Sequence, residues 1–302
     1  MIDPRRLRVL RAVAQHRTVT AAAAALYLSP SAVSQQLAAL ESESGHALLT
    51  RSSRGVQLTA AGQILLEHAH AVVAQLEEAE AELAAYAGGQ AGEVTIAAFA
   101  TGIAEVVAPA MSRLAVLHPR IGARVLDAEG DESLPMLLDG AADVAVAVAY
   151  RGAPREDDRR IARVPLYAEP FDAVLAATDP LAELPSVPLD LLADRDWIGP
   201  YPGNPCHDVV LLACEAAGFE PRLVHSSDDF RAVVALAAAG AGVALVPRSA
   251  LGGMDRPRAA VRPVTGPAAA TRRVFAAVRR GAENHPLIRP VLDALAQAAP
   301  RE

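Results

Sequence analysis

The sequence predicts an α/β chain in three parts: an all-α-type winged helix-turn-helix head, a long linker helix, and a two-lobed Rossmann-like body. Three observations predict it. Residues 18–41 hold two short helical patterns broken by Leu26-Tyr27-Leu28-Ser29-Pro30. A heptad seam follows, from Leu65 to Tyr86. Beyond it, strand and helix patterns alternate, which implies a parallel sheet with helices on its faces.

The head begins with a helix over residues 5–16, whose Leu7, Val9, Leu10 and Val13 pack on its neighbours. Arg5, Arg6 and Arg8 near its start suit either phosphate contact or a solvated basic end. Thr20–Leu26 is almost all alanine, so another helix can approach closely. Ser31–Leu40 sets Val33, Leu37 and Leu40 at i, i+4, i+7 spacing, with Ser29 as N-cap and Pro30 in the first turn. The outward face of this second helix carries Ser31, Ser34, Gln35 and Gln36. These side chains are uncharged and both donate and accept hydrogen bonds, as reading base edges in a major groove requires. Thr20 and Pro30 complete the expected DNA-facing set. Gly45–Leu58 is too polar and too rich in Gly and Ser for a helix, and reads as a two-stranded wing with its tip at Ser52–Gly55. Arg51 and Arg54 there suit a minor groove.

Thr59 opens a helix running to about Tyr86. Its Leu65, Ala69, Val72, Leu76, Ala79, Leu83 and Tyr86 follow a 4-3-4-3-4-3 spacing, a seam of coiled-coil type. Such a seam needs burial, against the chain itself or against a second copy. Glu77, Glu78, Glu80 and Glu82 read as a solvated acidic face. Ala87–Gly92 is a glycine-rich hinge.

In the body, strands are expected at Val94–Phe99, Gly122–Leu126 and Val144–Ala149, with helices at Ile103–Leu117 and Glu132–Leu138 between them. Arg151–Arg160 is a charged loop, and Leu166–Ala177 crosses to a second lobe. That lobe holds Trp197–Ile198, the helix Cys206–Ala217, the strand Arg222–His225, the helix Asp229–Ala239 and the strand Val243–Val246. Strand Arg272–Arg279 and helix Pro286–Ala298 return to the first lobe. The expected divisions are a head over 1–60 (helix-turn-helix about 19–38), a linker over 59–87, a hinge over 88–92 and a body over 93–302. Within the body, lobe I takes 93–165 and 268–302, and lobe II takes 166–267.

Charge agrees with this division. The chain carries −7 in 302 residues, which taken whole argues against nucleic acid. Residues 1–60, however, hold seven arginines against three acids, a net +4 that leaves −11 for the rest. A basic head on an acidic body is expected when one module alone meets phosphate. Every basic residue is arginine, which with the heavy alanine content points to a GC-rich coding sequence more than to function.

No run of about 18 uncharged apolar residues appears, and the N-terminus has no signal-peptide pattern, so no membrane span and a cytoplasmic location are expected. Enzymatic patterns are missing. His68 and His70 lie two apart and do not match zinc-helix spacing, Gly45–Leu49 is no nucleophile elbow, and Ala238–Pro247 precedes a strand as no phosphate loop does. No cofactor is expected.

Leu7–Gly62 resembles the winged helix-turn-helix of LysR-type transcriptional regulators. The matching pieces are S-x-S-A-V-S-Q-Q-L at Ser29–Leu37, G-x-x-L-L-x-R at Gly45–Arg51 and R-G-V-x-L-T-x-A-G at Arg54–Gly62, in order and nearly gapless. Leu49 departs from the family's usual Phe at a core position. The body is similar to the family's effector domain at Leu138–Ala145 and Ala238–Pro247. The resemblance implies double-stranded promoter DNA, a small-molecule effector and RNA polymerase as partners. It also implies a homodimer or homotetramer, with the long helix as dimer linker and Arg51 as the recurrent wing arginine.

In such sheets ligands bind beyond the C-terminal strand ends, here between the lobes. Ala100, Thr101 and Gly102 follow the first strand, where a hydroxyl and free backbone N–H groups suit an anion. Thr101 also matches the family's cleft Ser/Thr, and an N-cap role is compatible with ligand contact. Ala149, Gly199, Tyr201 and Asp228 are further candidates from topology. Peroxide-sensing members of the family use two cysteines near Cys206 and Cys214, at a spacing one residue different. Cys206 follows Pro205 at a helix start, where thiol pKa values fall. Cys214 is about 12 Å further along the helix, too far for a disulfide without unwinding. A redox-responsive regulator, and a small-molecule binding protein without DNA activity, are the alternative readings.

Overall fold

A computed structural model describes residues 2–52, 55–88, 91–150, 158–253, 258–266 and 270–300. The head is three helices and a wing. In α1 (Pro4–His16), Asp3 caps the start by accepting from the Arg5 N–H at 2.9 Å. In α2 (Val19–Ala25), Thr18 Oγ1 accepts from Ala21 N–H at 3.1 Å. α3 (Pro30–Ser44) runs one turn beyond the predicted Leu40 and stops at Gly45, whose φ is 70°. Leu10, Val13, Ala22, Val33, Leu40 and Leu48 form the core, with Leu49 packed at its edge. β1 (Leu49–Ser52) and β2 (Gly55–Leu58) pair antiparallel as the wing, Arg51 opposite Val56. Arg54, with Ser53, lies outside the described residues.

The end of the T-x-A-G motif has a steric cause. Thr59 N–H donates to the Leu48 carbonyl at 2.9 Å, and Thr59 Oγ1 donates to the Ala47 carbonyl at 2.7 Å while accepting from Gly62 N–H at 3.0 Å. A Cβ on residue 62 would lie 2.1 Å from the Leu48 carbonyl oxygen. Glycine alone admits that approach.

α4 (Ala60–Tyr86) has two apolar faces, not one. Leu66, Ala69, Val73 and Ala81 are buried against the same chain, and Leu65 packs on the head. The seam therefore divides. Its first two members serve the head, while Val72, Leu76, Leu83 and Tyr86 stay 37%, 36%, 68% and 93% exposed. Glu77 corrects the solvated acidic face: it accepts from Arg279 Nε at 3.1 Å, half-buried. Beside it a Cβ on Gly281 (φ 94°) would lie 2.1 Å from the Ala74 carbonyl oxygen, so α4 rests directly on backbone of the body. The head touches the body too. His16 Nε2 lies 3.0 Å from Asp139, and Gln15 Nε2 donates to Asp139 Oδ1 at 3.3 Å.

The body opens with β3 (Gly92–Ala98) and a helix that begins at Ala100, before the expected Ile103. This helix comprises α5 (Ala100–Gly102), a π turn (Ile103–Val107) and α6 (Ala108–Leu117). Its 18 residues are apolar enough to cross a membrane by composition, but Val106, Val107, Ala110 and Leu114 belong to the lobe I core. β4 (Ile121–Asp127), α7 (Gly130–Asp139) and β5 (Val144–Val148) follow, and residues 151–157 of the expected charged loop lie outside the described residues. β6 (Ile161–Ala176) is the long crossing strand, begun earlier than expected.

Lobe II adds β7 (Val187–Pro188), β8 (Asp196–Gly199), α8 (Pro205–Ala216), β9 (Arg222–Ser226), α9 (Phe230–Ala238), β10 (Ala244–Pro247) and β11 (Ala259–Thr265). The last was not expected, because Pro263 interrupts a short run. β12 (Thr271–Arg279) and α10 (Ile288–Ala298) close lobe I. The main sheet runs β4-β3-β5-β12-β6-β11-β7, with β3, β4 and β5 parallel and β12 and β6 antiparallel. The first part of β6 pairs with β12, and the last part pairs with β10 and β11. One strand thus belongs to both lobes, and a cleft opens between them.

Candidate functional site

On the head, burying Val33, Leu37 and Leu40 fixes which face of α3 turns outward. Pro30, Ser31 and Gln35 are exposed there, Ser34 and Gln36 are half-buried, and Thr20 is exposed on α2. Ser31 Oγ lies 2.9 Å from Ser29 Oγ, so part of its hydrogen bonding is already engaged. Arg6 is committed to an ion pair with Glu43, whereas Arg5 and Arg8 are exposed. Sequence reading passed over Tyr27, which stands 92% exposed in the helix–helix turn with φ 54°.

Between the lobes is a cavity of about 1180 Å³. Arg272 of β12 is its organising residue, although the side chain is only 1% exposed. Its Nε donates to Glu169 Oε1 at 2.7 Å, and Nη2 donates to Thr101 Oγ1 at 2.8 Å and Ser249 Oγ at 3.2 Å. Nη1 reaches Cys206 Sγ at 3.8 Å, and the guanidinium lies 5.0 Å from the Phe99 ring centroid. Arg272 thereby joins Thr101 of lobe I to Ser249 and Cys206 of lobe II.

The expected candidates divide. Ala100, Thr101 and Asp228 line the cavity. Thr101 is not a free anion cradle, because its oxygen already accepts from Arg272. Gly102 is buried beneath Phe99. Ala149 packs at the far core of lobe I, Gly199 is a buried β8 residue, and the Tyr201 ring is exposed; none of them lines the cavity. Tyr201 contributes through its N–H, which donates to Asp228 Oδ1 at 3.0 Å. Phe99, Glu129, Asn204, Phe230, Ser249 and Arg272 line the cavity and were not anticipated.

Burial, the Asp228 carboxylate across the cleft, and Asp127 and Asp131 push the Glu129 carboxyl up to about 7, while Arg272 opposes them. Glu129 is thus easier to protonate folded than unfolded. Its penalty is absent below about 4.5, grows as pH rises from there toward about 7, and is complete above it. Glu129→Gln is expected to unfold about 3 °C higher than the parent at pH 8 and no higher at pH 4. Thermal melts at both values check this, and an equal offset at both would refute it. Cys206 also departs from expectation. Burial outweighs the helix start and Arg272, and lifts the thiol to about 11. Burial lifts Cys214 to about 12 in the core of lobe II.

A helix-turn-helix head, a stalk with an unpartnered apolar seam and a two-lobed cleft body together define a ligand-responsive DNA-binding transcriptional regulator. Residues 4–63 match the family of bacterial regulatory helix-turn-helix proteins of the lysR family, and residues 87–300 match the LysR substrate binding domain. The chain belongs to the LysR family. It is 34% identical over 250 residues to a probable hydrogen peroxide-inducible genes activator of Mycobacterium avium, spanning 81% of this chain and 78% of the relative. It is 31% identical over 249 residues to the regulator TcbR of a Pseudomonas species, spanning 81% and 82%. Among solved structures, an OxyR mutant of Corynebacterium glutamicum with hydrogen peroxide bound is 27% identical, with TM-score 0.62 and coverage of 99% and 94%. Full-length CbnR with its target DNA is 25% identical, with TM-score 0.57 and coverage of 99% and 100%.

Proposed function

We propose that this regulator acts in the cytoplasm as a homodimer or homotetramer, reads promoter DNA with α3, and answers to a small molecule in the interlobe cleft. Residues 1–60 are the reader, 59–87 the dimer linker, 88–92 the hinge and 93–302 the effector body. Ser31, Ser34, Gln35 and Gln36 meet bases or nearby phosphates, supported by Thr20 and Pro30, and Arg51 and Arg54 hold the wing on the backbone. RNA polymerase is the partner of the DNA-bound form. No catalytic step is involved. The observation that carries this reading is the uncharged, hydrogen-bonding face of α3, turned outward by the burial of Val33, Leu37 and Leu40.

Coupling has a physical route. β12 carries Arg272 at the cleft and Arg279 at its other end, where Arg279 holds Glu77 of the linker. Ligand-driven closure of the lobes would tilt that strand end and the stalk resting on it, changing the angle between two paired heads. Half-sites about one helical turn apart, or a multiple, make that angle matter.

The test is Ser34→Ala with Gln35→Ala. Each good base contact is worth about 1–3 kcal/mol, so preference for operator over random duplex is expected to fall roughly 10- to 100-fold or more, while weak salt-sensitive binding survives. Intact preference in a gel shift would remove this face from the assignment.

A second reading has one observation in its favour: Cys206 lines the same cleft beside Arg272, and a relative is a peroxide-inducible activator. Burial holds that thiol well above the ordinary cysteine range, so it is held as the unreactive thiol at neutral pH, which favours the ligand reading. Cys206→Ser is expected to leave the regulatory response intact; loss of a peroxide response in that variant would reverse the order.

A further inference from the structure

Resting on the cleft reading above, we propose that the effector carries a protonated amine, held between Glu129 of lobe I and Asp228 of lobe II. Two features of the cavity support this charge class. Its one deeply buried cation, Arg272, is already neutralised by Glu169, 7% exposed, through a 2.7 Å contact. Arg231 and Arg258 also line the cavity, but both are exposed, and among the described residues neither Glu129 nor Asp228 forms an ion pair. Asp228 Oδ1 accepts only from neutral groups, the Tyr201 N–H at 3.0 Å and Asn204 Nδ2 at 3.2 Å. Asn204 is itself 9% exposed, so it aims Asp228 from a fixed position.

Glu129 approaches from the opposite wall. The groups that act on it are Asp228, Asp127 and Asp131, all like charges, and Arg272, the sole opposite one. The lobes also come close here: a Cβ on Gly203 would lie 3.9 Å from Asp131 Oδ2. Like charges on facing walls oppose closure. A cation between them turns that repulsion into attraction from both sides and draws the lobes together. A carboxylate placed there would add to the repulsion. Phe99 and Phe230 supply apolar wall for the remainder of the ligand. The Thr101 hydroxyl, whose oxygen accepts from Arg272, retains its own proton for an acceptor on the ligand.

A bound ammonium also favours the ionised form of Glu129. Burial and its acidic neighbours push that carboxyl up to about 7, so amine binding at neutral pH is expected to release protons from the fraction still protonated.

The test uses matched probes on the full-length chain. Phenylalanine, leucine and lysine are each compared with the decarboxylated amine and the deaminated acid of the same skeleton, by thermal shift at millimolar concentration. Ala235→Trp, which fills the cavity from its exposed wall, locates any binding. At least one amine-bearing probe is expected to stabilise the chain and its deaminated acid is not. That binding should vanish in Ala235→Trp and weaken roughly tenfold or more in Glu129→Gln with Asp228→Asn. Calorimetry in two buffers of different ionisation enthalpy should show the proton release, and Glu129→Gln should abolish it. Binding by deaminated acids alone, lost in Ala235→Trp, would overturn the amine assignment and leave the cleft reading standing. Probe binding that survives Ala235→Trp would count against the cleft itself. No stabilisation by any amine-bearing probe would overturn the proposal.

Discussion

Leu76→Glu is expected to give a folded monomer whose operator affinity falls roughly a hundred- to ten-thousand-fold. The size of the effect comes from geometry, not from a lost DNA contact. Leu76 lies on the exposed part of the stalk seam with Val72, Leu83 and Tyr86. A glutamate there meets water in the single chain, so the fold should tolerate it. In a pair of stalks it would bury a charge in the seam, one turn from Glu80, where apolar packing is required. With pairing lost, two heads no longer bind as one ligand, and each retains only the weak affinity of a single reader. Sedimentation and anisotropy on the same sample check both halves. A variant that stays oligomeric and binds operator as the parent does would remove the seam from the assembly.

Arg272→Met is expected to destabilise the body by about 3–5 kcal/mol, because it leaves the Glu169 carboxylate buried without its cation. For a body of this size that is roughly a 10 °C drop in its melting transition. Adding Glu169→Gln removes the stranded charge and should recover much of the loss. The pair joins the two crossing strands where both lobes meet, so the single variant should also lose effector response. A melting temperature within about 2 °C of the parent would show that the clasp contributes little.

The head was the most legible part of the sequence, because its determinants are local. Ser29, Pro30, Val33, Leu37 and Leu40 lie within one helix, and its cap and apolar spacing fix which face is exposed. The wing followed from Gly45 and its polar run. The stalk was legible as a helix but not as a surface. Its seam is continuous in sequence, yet Ala69 packs on the head while Leu76 faces out, and Glu77 is claimed by Arg279 from 202 residues away.

The cleft was the least legible part. Arg272 is one arginine among several in Thr271–Arg279, and nothing beside it in the chain distinguishes it. Its partners Glu169, Thr101 and Cys206 lie 103, 171 and 66 residues away. Thr101 was found through its place after the first strand, but its role changed once Arg272 was seen to occupy its oxygen. Nothing in the sequence singles out Glu129, because the charge that raises its pKa most strongly, Asp228, reaches it from the other lobe. Tyr201 and Gly199 lie off the cavity lining, because topology locates a strand end without saying which residues around it face the cleft.

The most direct test of the account is selection of duplexes from a random pool by the full-length chain, followed by stoichiometry on the winner. An inverted repeat is expected, with half-site centres about one helical turn or a multiple apart, bound by an even number of chains. Its recovery should weaken steeply with salt. No enrichment at low salt, or a single unrepeated element bound by one chain, would contradict it.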